Sequence, residues 1–162
     1  MQPTIRDMLP QESDVVAELV RQVFDTHVAP GYDEQGTREF HDYCRAEAIE
    51  RRTGSGESWV LLAHDEGVLV GAIEVRDGDH VSLLFVSSKY QRRGIARHLY
   101  ASALNRMVVT RPGLGEVTVN ASPNAVLAYG RLGFRVVQHE QVVNGIRFVS
   151  MIHDLGHAVD EA

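Results

Sequence analysis

"LLFVSSKYQRRGIARHLYASAL", residues 83–104, joins an apolar run to a helical pattern through a concentration of positive charge. Lys89, Arg92, Arg93 and Arg97 follow one another with no acid between them, in a chain whose formal net charge is −6. Ile95, Leu99, Ala103 and Met107 recur at helix spacing, which predicts a helix from Gly94 to about Val109, and "HVSLLFVSS" before it reads as a strand. The first N–H groups of a helix have no internal partner, and the helix dipole makes that end positive. Gly94 would let a ligand approach the backbone, and the arginines add fork-shaped donors. Gln91-Arg92-Arg93-Gly94-Ile95-Ala96 therefore reads as a pyrophosphate cradle. On residue types alone, a solvated basic helix start with a glycine turn fits the same six residues equally well. The segment is neither a Walker-type loop, which needs Gly-Lys-Ser/Thr, nor a Gly-x-Gly-x-x-Gly fingerprint.

The rest of the chain alternates strand and helix patterns around this segment. "PTIR" reads as a short first strand, and Ser13 as the N-cap of a helix whose inner face is Val16, Leu19, Val20, Val23 and Phe24. "HVAPGYDEQG" is a loop, and a second helix is expected from about Thr37 to Arg52, with Phe40, Tyr43 and Cys44 inward and a stop at Gly54. "SWVLLAH" and "VLVGAIEVR" are strands around Asp65-Glu66-Gly67, and Asp77-Gly78 suits a two-residue hairpin turn. "EVTVNA" is a strand, followed by Ser122-Pro123 as a helix start and a helix ending near Gly133. "FRVVQHE" and "GIRFVSMIH" form a closing hairpin turned at Asn144-Gly145. The expected class is mixed α/β (α+β), a sheet with helices on both faces.

A chain of 162 residues, 44% hydrophobic, suffices for one well-buried domain, expected over residues 1–162. No apolar run approaches twenty residues, and the N-terminus lacks a signal-peptide pattern, so no membrane partner is expected. One cysteine excludes an intramolecular disulfide and fits a reducing cytoplasm. The acidic balance argues against nucleic acid, whereas a local basic cluster on an acidic body suits a small anionic ligand.

Two blocks carry a family resemblance. Residues 91–96 resemble the Gln/Arg-x-x-Gly-x-Gly/Ala signature of the GCN5-related N-acetyltransferases (GNAT), with Ala96 at the last small position. "VTVNASPNAVLAYGRLGFRV" resembles that superfamily's fifth strand and following helix, ending in Tyr-x-x-x-Gly-Phe. The similarity covers about residues 58–137; the first 55 residues match only in element order. The resemblance implies a GNAT fold: a central, mostly antiparallel sheet splayed between strands 4 and 5. It implies acetyl-CoA bound in that splay as cosubstrate, its pantetheine paired with the backbone of Phe85 and Val86 and its pyrophosphate on the N–H groups from Arg92 to Ala96.

The implied activity is acetyl transfer to a primary amine of a small molecule or peptide by direct attack. Such transfer needs a neutral amine, a polarised thioester carbonyl and a proton for the departing thiolate. Tyr129 stands where the family commonly carries its general acid; as a plain residue it also fits a core tyrosine. His80, entering the fourth strand, is the candidate base, with Glu74 as rival. A two-residue turn would pair Glu74 with Val81 and set it on the sheet face opposite His80. The resemblance gives carbonyl polarisation to the Val86 N–H. Asn120 could hold the pantetheine amides or cap a loop, and Arg131 could reach a CoA phosphate.

Cys44, without a basic activator, reads as packing, and Trp59 as core. His153 and His157 stand at i, i+4 without a further ligand, and no metal is expected. A non-catalytic acyl-CoA-binding domain and a generic phosphate-binding module remain as alternatives. The acceptor site is expected at residues 27–36, where Asp33 and Glu34 suit a cationic amine, and at the closing hairpin. A homodimer fits the resemblance as well as a monomer does.

Overall fold

In this computed structural model, residues 2–156 are described, and their strands make one twisted sheet in the order β1-β2-β3-β4-β5-β8-β6. The strands are β1 (Thr4–Asp7), β2 (Ser58–Asp65), β3 (Val68–Arg76), β4 (His80–Val86), β5 (Glu116–Ala121), β6 (Arg135–Val136), β7 (Gln141–Val143) and β8 (Ile146–Asp154). Every pairing is antiparallel except β4 with β5. β7 forms a hairpin with the start of β8, turned at Asn144-Gly145, both at positive φ as expected. The helices are α1 (Ser13–His27), α2 (Glu34–Tyr43), α3 (Ala46–Gly54), α4 (Ile95–Thr110) and α5 (Val126–Arg131). No helix among the described residues is long and apolar enough to cross a membrane.

Strand alternation sends side chains to two cores. On one face Ile73, Val75, Val81, Val117 and Val119 meet the α4 stripe of Ile95, Leu99, Ala103 and Met107. On the other, Val60, Leu62, Ala72 and Leu83 meet Val16, Leu19 and Val20 of α1 with Cys44 and Ile49. Cys44 is buried there, which pushes its thiol pKa up and leaves it a packing residue. Trp59 is partly buried on the α4 face, with the Arg106 guanidinium 4.3 Å above its ring.

Three expectations change. Ser13 lies inside α1 rather than at its cap; the helix is entered through a 3₁₀ turn at Pro10–Glu12, where the Glu12 carboxylate accepts from the Leu9 N–H at 2.8 Å and pairs with Arg6. The single helix expected at 37–52 is two. α2 begins earlier because Asp33 caps it, accepting from the Gly36 N–H at 2.8 Å, and Arg45 in extended conformation separates it from α3. Ser122 makes no cap bond; its hydroxyl donates to the Asn124 side chain at 2.7 Å.

The break between α2 and α3 has a tertiary cause. It lets Arg52 reach into the sheet, where it donates to both Glu74 oxygens at 2.9 Å, and a third N–H caps the α2 C-terminus at the Tyr43 carbonyl, 2.8 Å away. Ser58 donates to the same carboxylate, and the Arg52 and Glu74 side chains are only 6% and 1% exposed. Removing one member strands a buried charge. Arg52→Ala should therefore cost about 3–5 kcal/mol in urea denaturation, and replacing both Arg52 and Glu74 by apolar residues of similar volume should recover most of it. Equal losses in the single and double variants would contradict this.

Candidate active site

The feature that makes a site is a failure of pairing. β4 and β5 are hydrogen-bonded neighbours only at His80–Thr118 and Val81–Val119. A β-bulge precedes the separation: Val75 faces Val81 but Glu74 faces Leu83, leaving Ser82 as the extra residue. A bulge bends its strand and sharpens its twist, which carries the end of β4 away from β5. A cleft of about 790 Å³ fills the gap and runs from the α4–α5 side to the α1–α2 side.

The ladder phase shows which backbone groups face the gap. The Ser87 N–H donates to the Val70 carbonyl at 2.8 Å, so in the alternating antiparallel pattern Phe85 exchanges its bonds with Ala72. Leu84 and Val86 then turn their N–H and C=O groups toward the cleft. This corrects the expectation for Phe85, whose backbone serves the sheet, and substitutes Leu84. Gln91 donates its carboxamide N–H to the Val86 carbonyl at 3.0 Å, which fixes the loop and leaves the Val86 N–H directed into the cleft.

Beyond β4 the chain turns through Arg92 and Gly94, both at positive φ (66° and 83°), and enters α4 at Ile95. A Cβ on Gly94 would meet nothing within 4 Å, so glycine is required there by the left-handed backbone rather than by crowding. The N–H groups of this turn form a ledge at the positive end of a 16-residue helix. Arg92, Arg97 and Arg131 line the same cleft, and none of them has a carboxylate within ion-pair distance among the described residues. Arg93 does not line it; its guanidinium lies 5.2 Å from the Tyr90 ring.

The remaining sequence candidates converge on this cleft. Tyr129, Asn120, Ile95, Ala96 and His80 all line it. The Tyr129 ring sits edge-on to Phe134, its hydroxyl has no protein hydrogen-bond partner among the described residues, and burial pushes its pKa above the usual phenol value. Asn120 accepts a hydrogen bond from Ser150 at 3.3 Å, and its amide N–H groups have no partner among the described residues. The Nδ1 of His80 lies 2.7 Å from the Thr118 hydroxyl, and desolvation, aided by Arg76, lowers its pKa to about 4. It is six residues from Val86, roughly 18–20 Å along the strand.

Glu74 does share a sheet face with His80, contrary to the two-residue-turn expectation, because three residues separate β3 from β4 and Arg76 faces His80. Its carboxylate is nevertheless engaged by Arg52 and Ser58. Asp33 and Glu34 do not line the cleft: the first caps α2 and the second lies 3.7 Å from Arg38. Val143, Asn144 and Ile146 of the closing hairpin do line it. The ring of His153 meets the Tyr100 hydroxyl at 2.6 Å, and His157 lies outside the described residues. Of the expected segment 27–36, His27, Val28 and Tyr32 line the cleft; sequence reasoning missed Glu39, Phe40 and Phe148, which line it too. His27 ties the two lips together, its ring 2.9 Å from the Ser88 hydroxyl and its carbonyl accepting from Asn124 at 2.7 Å.

A sheet parted between two parallel strands, with an N–H ledge and unpaired arginines at the opening, is a site for an extended anionic ligand. Over residues 28–155 the chain matches the acetyltransferase (GNAT) domain family, and it belongs to that family, whose chemistry is acyl-CoA-dependent acetyl transfer. No curated protein matches it in sequence. Its fold is similar to that of a GCN5-related N-acetyltransferase of Rhodopseudomonas palustris, at 24% identity, 96% and 97% coverage of the two chains and a TM-score of 0.78. It is also similar to the paiA N-acetyltransferase of Thermoplasma acidophilum, solved in complex with coenzyme A, at 19% identity, 95% and 99% coverage and a TM-score of 0.75. YjaB of Escherichia coli, in its apo form, gives 19% identity, 94% and 98% coverage and a TM-score of 0.70.

The lowered pKa of His80 makes stability depend on pH with a defined sign. Between about pH 4 and 6.5 the unfolded chain protonates this imidazole and the folded chain does not, so the fold loses stability as pH falls through that window. Wild type should weaken relative to His80→Gln when urea titrations are repeated from pH 6.5 down to 4. Parallel curves would contradict a buried neutral His80.

Proposed function

We propose that this protein is an acetyl-CoA-dependent N-acetyltransferase acting on a primary amine by direct attack. The observation that carries the proposal is the free Val86 N–H at the parting of β4 and β5, beside the N–H ledge of Arg92 to Ala96. The cleft fits the cosubstrate chemically. Arg92, Arg97 and Arg131 lack carboxylate partners among the described residues and match a polyanion, and Leu84 and the Val86 N–H offer strand groups outside the β3–β4 ladder to an extended amide chain. The Asn120 carboxamide, which lines the cleft, would bond such amides from the β5 side.

When bound, the thioester supplies an acyl carbon activated for attack and a thiolate leaving group. Val86 would donate its N–H to the carbonyl oxygen, where negative charge develops as the amine nitrogen bonds to carbon. Tyr129 is protonated at neutral pH as any phenol is, burial raises its pKa further, and its hydroxyl, without a partner among the described residues, would give the sulfur a proton as the C–S bond breaks. His80 would relay the ammonium proton through bridging water to solvent rather than keep it, because desolvation lowers its pKa to about 4.

Tyr129→Phe keeps the ring packed on Phe134 and removes only the hydroxyl. Acetyl-CoA affinity and thermal stability should hold, while release of free CoA thiol with an accepted amine falls roughly 10²- to 10⁴-fold, the usual contribution of a positioned acid. Undiminished thiol release would remove Tyr129 from the mechanism. Acetyl-CoA binding without thiol release for any amine would instead favour a non-catalytic acyl-CoA-binding domain.

A further inference from the structure

We propose that the acceptor is a primary amine carried on an aromatic group, an arylalkylamine, bound in the half of the cleft between α1, α2 and the β7–β8 hairpin. The proposal rests on the acetyl-transfer reading of the site and specifies its second substrate.

This half of the cleft is built of rings. Phe40 of α2 stacks on Phe24 with centroids 4.0 Å apart and planes 9° from parallel, and lies 5.8 Å from Phe85 of β4. Phe24 is completely buried in the α1 core, so the platform beneath Phe40 is fixed before any ligand arrives. Tyr43 and Phe148 continue the lining. Phe40, Phe85 and Phe148 are only partly buried, which leaves apolar ring area that an aromatic ligand would remove from water, while Tyr43 is held in place by the Arg52 guanidinium 3.7 Å over its ring.

The charges in the chamber point the same way. Glu39 is the one carboxylate among the described lining residues, and it has no cationic partner there. One carboxylate suits one ammonium. A polyamine would need several, and it would also face Arg76, while His80, held neutral, offers no countercharge. A polypeptide acceptor meets a different obstacle, the roof. The Tyr32 hydroxyl donates to the Arg147 carbonyl at 2.9 Å, Arg147 donates to the Gly31 carbonyl at 2.8 Å, and a Cβ on Gly36 would collide with the Gly145 carbonyl. The hairpin is thereby fastened onto the α1–α2 connection, across the path an extended chain would take.

The test separates binding from chemistry. With the protein saturated by CoA, calorimetry would measure the affinities of 2-phenylethylamine, butylamine, spermidine and Nα-acetyl-lysine amide; in parallel, acetyl-CoA and each amine would be assayed for thiol release. Phenylethylamine should bind at least about tenfold tighter than the other three, the range expected of added ring contacts. Phe40→Ala should weaken its binding about tenfold, and Phe40→Leu, which keeps apolar bulk, should weaken it less. Glu39→Gln should weaken it up to about fivefold, as for an exposed ion pair. Spermidine or the lysine amide binding as tightly as phenylethylamine would overturn the proposal, and so would no amine binding while CoA is held. Phenylethylamine binding without thiol release would sustain the acceptor pocket and overturn the transferase reading alone.

Discussion

Everything distinctive in this molecule depends on two strands that stay together for two residue pairs and then part. A parallel β4–β5 ladder carried to its end would satisfy the Leu84 and Val86 backbone groups and close the cleft. The extra residue at Ser82 prevents that, and the fold tolerates the gap because both strands are secured on their outer sides, β4 by β3 and β5 by β8. The two cores then hold the halves apart: α4 fills one face beneath the parting, and α1 and α3 fill the other.

Electrostatics complete what the backbone begins. Ten of the arginines pair with nearby carboxylates and are neutralised locally, among them the buried Arg52. Among the described residues, Arg92, Arg97 and Arg131 around the parting are not. Hence a protein of net charge −6 can present a positive site to an anion, since field lines in a cleft are set by its own unpaired charges. On the opposite side of the sheet the cleft gains rings, with the Glu39 carboxylate and Arg76 as its charges, so one continuous cavity offers two chemistries. That division suits a reaction between a large anion and a small apolar amine.

Much of this was legible in sequence because periodicity survives folding. Val16, Leu19, Val20, Val23 and Phe24 are the buried face of α1, and Ile95, Leu99, Ala103 and Met107 that of α4, as their spacing predicts. Turns marked by Asn-Gly and Asp-Gly do adopt positive φ. Features without a residue-type signature were hidden. Nothing in "HDYCRAEA" announces a helix break, because its cause is Arg52 reaching Glu74 from 22 residues away. The bulge at Ser82 is equally silent and, with the ladder phase, moved the free backbone group from Phe85 to Leu84, while a turn one residue longer than Asp77-Gly78 suggests reversed the face assigned to Glu74. The ring platform escaped notice because Phe40 and Phe85 are 45 positions apart in sequence and meet only through packing.

If the parted strands and the α4 entrance form the acyl-CoA site, as proposed, their backbone N–H groups must meet the cosubstrate. Amide-resolved NMR of the protein titrated with acetyl-CoA tests it most directly. The N–H signals of Leu84, Val86 and residues 92–96 should shift and gain protection from exchange, while Phe85, already bonded within the sheet, keeps its protection. Saturable binding that leaves those amides unmoved, with changes gathered elsewhere on the molecule, would contradict it.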